Sequence, residues 1–269
     1  MLGEGPLWVG HEQALYWVDI KAPAVHSYKP EGAVKTSWPM PEKIGCLVYR
    51  QGTGFLAALQ SGFVRIEFGA SGTTPLITAI ANPEADLPGN RFNDGKLDAM
   101  GRFWAGTMDD AERETTGAWW QLDERNQVHE IDSGYKVTNG PAFDAARGRV
   151  YLTDSAAQTI YVARPGGDGC IENKQVFLRF GPVEGYPDGM TTDHEGNLWV
   201  AFWDGGCIRR ITPEGNADRE ILMPVPRPTS LAFGADKDTL YVTSASIGLS
   251  AAALQAAPLS GGVFIVNMA

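Results

Sequence analysis

GRFWAGT, at residues 101–107, joins a turn to a short run of aromatic and small residues, and copies of this pattern decide the fold. Five more copies occur along the chain: ALYWVDI (14–20), GFLAALQ (54–60), GRVYLTD (148–154), GNLWVAF (196–202) and DTLYVTS (238–244). Successive copies lie roughly 40 to 48 residues apart, which is the period of a four-stranded propeller blade. Six copies therefore predict an all-β chain folded as a six-bladed β-propeller.

A second set of strand-like segments follows the first set at a shorter offset. Its six members are AVHSY near Val25, GFVRI near Val64, GAWWQL near Trp119, TIYVA near Tyr161, GCIRRI near Ile208 and GGVFIV near Phe264. Short β-branched and aromatic runs between turn formers are typical of strands. Because both sets count to six, each strengthens the prediction made from the other.

The composition fits one large closed β domain. The 269 residues are 43% hydrophobic and include 32 Gly and 17 Pro, residue types that turns require. No linker, low-complexity tract or charge block divides the chain, so we predict a single domain over residues 1–269. Helical periodicity is confined to one short segment, Leu249 to Ala257.

The charge balance argues against several kinds of partner. With 22 basic and 32 acidic residues, the net charge of -10 opposes binding to the phosphate backbone of a nucleic acid. No apolar run approaches the roughly 18 to 20 residues that cross a bilayer, and the opening MLGEGPLWVG does not resemble a signal peptide. We expect a cytoplasmic protein, a monomer or weak oligomer, that binds neither nucleic acid nor membrane.

Common catalytic motifs are absent from the sequence. The three cysteines, Cys46, Cys170 and Cys207, are widely spaced, and the four histidines form no HxH or HExxH pattern. We also find no GxSxG elbow, Walker loop or dinucleotide-binding fingerprint. These absences argue against zinc sites of the usual spacing, nucleophilic serine chemistry and phosphate-loop chemistry.

Four Gly- or Pro-rich segments, which we expect to be loops, carry acidic or amide side chains: LGEGPLW with Glu4, RFNDGK with Asn93, VTNGP with Asn139 and YPDGM with Asp188. In a propeller such segments can converge on the central channel. A set of oxygen donors without clustered His or Cys suits a hard divalent cation. A purely structural role stays open for each segment, because Asn-Gly and Asp-Gly pairs are also ordinary turn formers.

The chain resembles the senescence-marker-protein/gluconolactonase family, the regucalcin-like sugar lactonases. The resemblance is carried by GEGPLW (3–8), WVDIK (17–21), NRFNDGKLDAMGRFWAGTM (90–108), TNGPAFD (138–144), YPDGMTTDHEGNLWVAFWDGG (186–206) and PLSGGVF (258–264). These segments span nearly the whole chain in family order. The resemblance implies a six-bladed propeller with one divalent metal ion in its channel and a small-molecule sugar lactone as the substrate.

Carried over by motif, the resemblance also implies roles for individual residues. Glu4, Asn139 and Asp188 match the family's metal ligands, and Arg91 and Asn93 match residues that contact the hydroxyls of the substrate. The metal varies among Ca, Zn, Mg, Mn and Fe(II) in this family. As a hypothesis, the ion polarises the lactone carbonyl and Asp188 acts as the general base.

Two departures from the family pattern carry expectations of their own. After GTM, where relatives often have a Glu-rich lid, this chain reads DDAERETTGAWW, so Asp109 or Asp110 could contact a sugar hydroxyl, or the loop could simply be solvated. Glu4 lies three residues from the first residue, and we expect an incomplete last blade, a poorly anchored Glu4 and weak metal retention.

Two other function classes fit a propeller with an oxygen-ligated metal. A phosphotriesterase of the diisopropylfluorophosphatase type would use the metal to polarise a phosphoryl oxygen. A non-catalytic propeller that binds calcium would need no base at all. The RFNDGK segment, matched to sugar contacts, favours the lactonase.

Overall fold

Six antiparallel β-sheets surround a central channel in a computed structural model that describes residues 1–167 and 170–268. The sheets follow one another around the ring in chain order, and the first strand of each lies against the first strand of the next. In this part of the chain five sheets have four strands and the sixth has three. The predicted six-bladed β-propeller is therefore confirmed.

The strands of each sheet run from the channel outward. The first sheet contains β1 (Gly3–Val9), β2 (Ala14–Asp19), β3 (Ala24–Lys29) and β4 (Val34–Pro39); the second β5 (Ile44–Arg50), β6 (Gly54–Leu59), β7 (Gly62–Glu67) and β8 (Leu76–Ala81); the third β9 (Asn90–Leu97), β10 (Phe103–Asp109), β11 (Gly117–Leu122) and β12 (Val128–Tyr135). The fourth contains β13 (Thr138–Asp144), β14 (Arg149–Asp154), β15 (Thr159–Pro165) and β16 (Ile171–Arg179); the fifth β17 (Tyr186–Thr192), β18 (Leu198–Trp203), β19 (Cys207–Ile211) and β20 (Ala217–Leu222); the sixth β21 (Pro228–Phe233), β22 (Thr239–Ser244) and β23 (Val263–Asn267).

Both sets of predicted strands are found. The first set forms the second strand of every sheet, and the second set forms the third strand. The helix predicted at Leu249 to Ala257 is present but shorter, as α1 (Ala251–Ala256), and the Ser250 hydroxyl caps it by accepting a hydrogen bond from Ala253 N. A 3-10 turn at Glu31–Ala33 completes the elements. Among the described residues there is no helix of the length and apolarity that a membrane crossing requires.

A recurring turn explains why the sequence pattern is so regular. The carboxylate of Asp98 accepts hydrogen bonds from backbone N–H groups of the turn before β10 and from Trp104 Nε1, at 3.0 Å. Asp193 holds the turn before β18 in the same way and accepts from Trp199 Nε1 at 3.1 Å. Gly196 in that turn has φ 86°, a conformation that favours glycine. Each turn thus orients a Trp that is buried between sheets.

The ring closes where the sixth sheet contacts the first. The Thr229 hydroxyl donates to Gly3 O at 2.6 Å, and Trp8 stacks on Tyr241 with their ring centroids 5.7 Å apart. Glu4, in β1 beside this contact, is only 4% exposed. The expectation that Glu4 is poorly anchored is therefore wrong, because the first strand is bonded on both sides, to β2 and to the sixth sheet.

The innermost strand of each sheet contains one residue more than its partner at a β-bulge. The shifts in register lie between Glu4 and Leu7, between Ile44 and Cys46, at Asn93, between Asn139 and Ala142, between Pro187 and Met190, and between Pro228 and Ser230. The four segments predicted to be loops are therefore strand segments. The Gly and Pro residues that resemble turn formers serve the bulges instead, and bulges re-aim side chains next to functional sites.

Gly45 occupies the bulge of the second sheet, where two inner strands touch. A Cβ at this position would lie 2.5 Å from the carbonyl carbon and oxygen of Phe92 and 2.8 Å from Asn93 N. We expect Gly45→Ala to lower the free energy of unfolding by about 1 to 3 kcal/mol, because backbone must move to relieve the overlap. Chemical denaturation measures the loss, and Gly10→Ala, whose Cβ would meet nothing within 4 Å, is the matched control. Equal stability of the two variants would contradict the close approach.

Candidate active site at the channel mouth

A cavity of about 380 Å³ lies at the mouth of the channel where the innermost strands begin. Five predicted site residues line it together: Glu4, Arg91, Asn93, Asn139 and Asp188. They come from the first, third, fourth and fifth sheets, so the ring brings together side chains that are far apart in the sequence. The other lining residues are Leu2, Met108, Glu112, Lys136, Val137, Ser155, Ala156, Tyr186 and Trp203.

Asp109 and Asp110, although within the described residues, do not line this cavity. Asp109 accepts hydrogen bonds from backbone N–H groups of the turn that follows it. Asp110 forms ion pairs with Lys21 at 2.7 Å, Lys43 at 2.7 Å and Arg91 at 2.6 Å. Burial alone would raise the pKa of Asp110, but the hydrogen bonds from these three cations hold it below its ordinary value. Asp110 therefore orients Arg91 from behind the cavity wall.

A chain of hydrogen bonds fixes the amide of Asn139. Asn93 Nδ2 donates to Thr138 O at 2.7 Å and to Asn139 Oδ1 at 3.2 Å. Asn139 Nδ2 donates to Ser155 Oγ at 2.8 Å, and Ser155 in turn donates to Pro187 O at 2.6 Å. Both hydrogens of the Asn93 amide are thus used within the protein, and Asn93 orients the amide oxygen of Asn139. Ser155 lies in no sequence motif that would have singled it out.

The carboxylates of Glu4 and Asp188 are buried with few hydrogen-bond donors. Their residues are 4% and 5% exposed, and among the described residues the donors are Gly5 N for Glu4 and Gly189 N for Asp188. Burial raises the pKa of both carboxyls well above their ordinary values. The charge of Asp188 adds to the shift at Glu4, and the charge of Asp94 adds to the shift at both. Buried carboxyls in this state either keep a proton or, when ionised, need a compensating cation.

Two charged residues that the sequence analysis did not assign, Asp94 and Lys96, lie further along β9. Asp94 accepts hydrogen bonds from Gly95 N at 2.7 Å and Gly140 N at 3.0 Å, and burial raises its pKa to about 6. Lys96 Nζ donates to Met190 O, and burial lowers its pKa. The sequence analysis treated Asp94 only as part of a turn in RFNDGK.

The donor set at the mouth fits a divalent cation. Glu4 and Asp188 each offer a carboxylate with one backbone donor among the described residues, and Asn139 offers an oriented amide oxygen. Together these oxygens suit a hard or borderline ion. Among the described residues no group of three or more His, Cys, Asp or Glu side chains is placed to hold a metal. Any site here must therefore combine the two carboxylates with the amide.

Comparison with known proteins identifies the family. A family model described as "SMP-30/Gluconolactonase/LRE-like region" matches residues 2–246, which is most of the chain. The chain belongs to the SMP-30/gluconolactonase family. The five resembling segments between residues 3 and 206 lie within the matched region, and PLSGGVF (258–264) lies beyond it.

Relatives of known name support the same assignment. The chain is similar to 6-deoxy-6-sulfogluconolactonase of Pseudomonas putida, with 36% identity over 100% of this chain and 91% of that protein. It is also similar to L-arabinolactonase of Azospirillum brasilense, with 32% identity over 99% of this chain and 88% of that protein. Among solved structures, regucalcin of Agrobacterium tumefaciens, described as a calcium-binding protein, has a TM-score of 0.92 and 26% identity, covering 98% of this chain and 89% of that one.

Proposed function

We propose that this member of the SMP-30/gluconolactonase family hydrolyses sugar lactones to aldonic acids with the help of one divalent cation. The observation that carries the proposal is the pair of donor-poor buried carboxylates, Glu4 and Asp188, facing one cavity with the oriented amide of Asn139. The names of the relatives, which include two sugar lactonases, support the substrate class. A cytoplasmic location, a single domain and a monomer or weak oligomer stay predictions of the sequence.

Glu4, Asn139 and Asp188 would hold the cation. Bound there, it supplies positive charge beside the lactone carbonyl oxygen, where negative charge develops during hydrolysis. Oxygen donors alone do not select among Ca, Zn, Mg, Mn and Fe(II), although a calcium-binding relative supports the hard end of this series.

Asp188 is the proposed general base. It takes a proton from a water whose oxygen forms a bond to the lactone carbonyl carbon; the ring carbon–oxygen bond then breaks, and the proton passes to the departing ring oxygen. The charge of the bound cation would favour the ionised form of Asp188, which is the form that can accept a proton. One carboxylate oxygen has to face the water while the other faces the cation.

Arg91 is the proposed contact for substrate hydroxyls. Its Nε is held by Asp110 and its Nη1 by Asn93 Oδ1 at 2.6 Å, so the guanidinium is fixed in place in the wall of the cavity. Asn93 Oδ1 accepts a hydrogen bond from Arg91 Nη1 and has a second lone pair to offer a sugar hydroxyl. The amide of Asn93 also orients Asn139. Asp109 would influence sugar preference through the turn that it holds, and Asp110 through its ion pair with Arg91.

The proposal is tested with protein freed of metal by a chelator and reloaded with each candidate ion. We expect hydrolysis of glucono-, galactono-, arabinono- and xylonolactone above the spontaneous rate only after reloading, and little hydrolysis of a fluorophosphate. Full lactone hydrolysis in the chelated protein would overturn the metal dependence. A higher rate on the fluorophosphate would favour the phosphotriesterase, and ion binding without turnover on either substrate would favour the non-catalytic propeller.

A further inference from the structure

Asp94 and Lys96 extend from β9 to the strands that carry two of the proposed metal ligands. Asp94 Oδ2 accepts from Gly140 N, the residue after Asn139, at 3.0 Å. Lys96 Nζ donates to Met190 O, two residues beyond Asp188. Lys96 also lines a second cavity, of about 410 Å³, at the opposite mouth of the channel. Its ammonium group therefore lies in the layer that separates the two cavities.

The charges in this layer do not balance. Electrostatic interactions couple three buried carboxyls in this layer, those of Glu4, Asp94 and Asp188. The charge of Lys96 interacts with two of them, Asp94 and Glu4. The guanidinium of Arg91 also acts on Glu4, but it forms its ion pair with Asp110. When all three carboxyls are ionised, they and the Lys96 ammonium leave two negative charges, which equals the charge of one divalent cation.

We propose that Lys96 is a built-in counter-ion of the metal centre, which stabilises the metal-free protein and weakens cation binding. The inference rests on the proposed function, since it concerns the same centre. In the metal-free state the Lys96 charge offsets part of the cost of ionising the three buried carboxyls. When a divalent cation binds, the same charge repels it through the interior of the channel. Lys96 thus lowers the affinity that the three carboxylates would otherwise give.

A purely structural role for Lys96 makes a different prediction. If its only task were to hold Met190 O, removing it would loosen the strand of Asp188 and weaken cation binding. A counter-ion role predicts the opposite change in affinity. The sign of the change therefore separates the two roles.

The test uses Lys96→Gln, which keeps an N–H donor for Met190 O but removes the charge. Calorimetric titration of Ca²⁺ or Mn²⁺ into chelator-stripped protein gives the dissociation constant, and thermal unfolding gives the Tm with and without the ion. We expect Lys96→Gln to bind the ion at least about tenfold more tightly than wild type and to have a lower Tm when metal-free. Lys96→Arg, which keeps the charge, should bind close to the wild-type value.

Asp94→Asn provides a second test that does not depend on Lys96→Gln folding. Its amide oxygen can still accept from Gly140 N, but one negative charge is lost, so we expect at least about tenfold weaker binding. Unchanged or weaker binding by folded Lys96→Gln, or unchanged binding by Asp94→Asn, would overturn the counter-ion role alone. If wild type and both variants bound no divalent ion, the metal centre and this inference would both be wrong.

Discussion

Replacing Asp188 by Asn should lower kcat for lactone hydrolysis by about a thousandfold, even when the metal ion is present at saturating concentration. The amide keeps the shape of the side chain and one oxygen for the cation, but it cannot accept the proton from water. Loss of a general base affects the transition state more than the ground state, so KM should change little. Steady-state kinetics on the preferred lactone, with metal content measured on the same sample, checks the result.

Asp144→Asn is the matched control for Asp188→Asn. Asp144 is also a buried carboxylate in an innermost strand, but it bonds Arg147 at the opposite end of the channel, 3.1 Å away. We expect this control to lose some stability and to keep wild-type kcat. If Asp188→Asn retained both its metal and wild-type kcat, Asp188 would not be the base.

Replacing Glu4 by Gln should weaken divalent cation binding by at least about a hundredfold, because it removes one of the two buried carboxylates at the proposed ion site. Calorimetric titration into the metal-free variant measures this loss, and lactone hydrolysis at low metal concentration should fall with it. Glu12→Gln, in the turn at the other end of the same hairpin, should bind the ion as wild type does. Equal affinities of the two variants would remove Glu4 from the ligand set.

Glu4→Gln should also change how the stability of the metal-free protein depends on pH. The pKa of Glu4 is raised above its ordinary value of 4.5, so between the two values the folded protein binds more protons than the unfolded chain. Glu4 therefore costs stability progressively as pH rises above about 4.5. Thermal unfolding of Glu4→Gln should show a smaller decline of Tm from pH 4.5 to 8 than wild type, and parallel curves would contradict the raised pKa.

The fold could be predicted from the sequence because each blade repeats one physical requirement. The second strand of every sheet is packed between neighbouring sheets, so patterns such as GRFWAGT and GNLWVAF recur with the same turn before them. Segments around Glu4, Asn139 and Asp188 were misread as loops because β-bulges use the same Gly and Pro residues as turns. Single-sequence patterns do not distinguish the two.

The contents of the site were harder to predict. Glu4, Asn139 and Asp188 could be grouped by their chemistry and by the family resemblance, since both concern residue types in motifs. The contact of Lys96 with Met190 joins two sheets that are far apart in the sequence, and the contact of Asn139 with Ser155 joins two residues of one sheet that share no motif. No rule of sequence spacing predicts either contact. Asp109 was similarly hard to judge, because an acidic pair after a strand can face a cavity or cap a turn.

The bulges divide the hub into six equivalent positions, and two of them cannot be recruited as donors. At Gly45 any side chain would collide with the backbone of Phe92 at 2.5 Å. At Thr229 the hydroxyl is occupied by Gly3 O at 2.6 Å and by the Thr243 hydroxyl at 2.9 Å. The propeller therefore has an upper limit on how completely it can enclose an ion. An ion held at the proposed site would therefore keep coordination positions open to water and substrate.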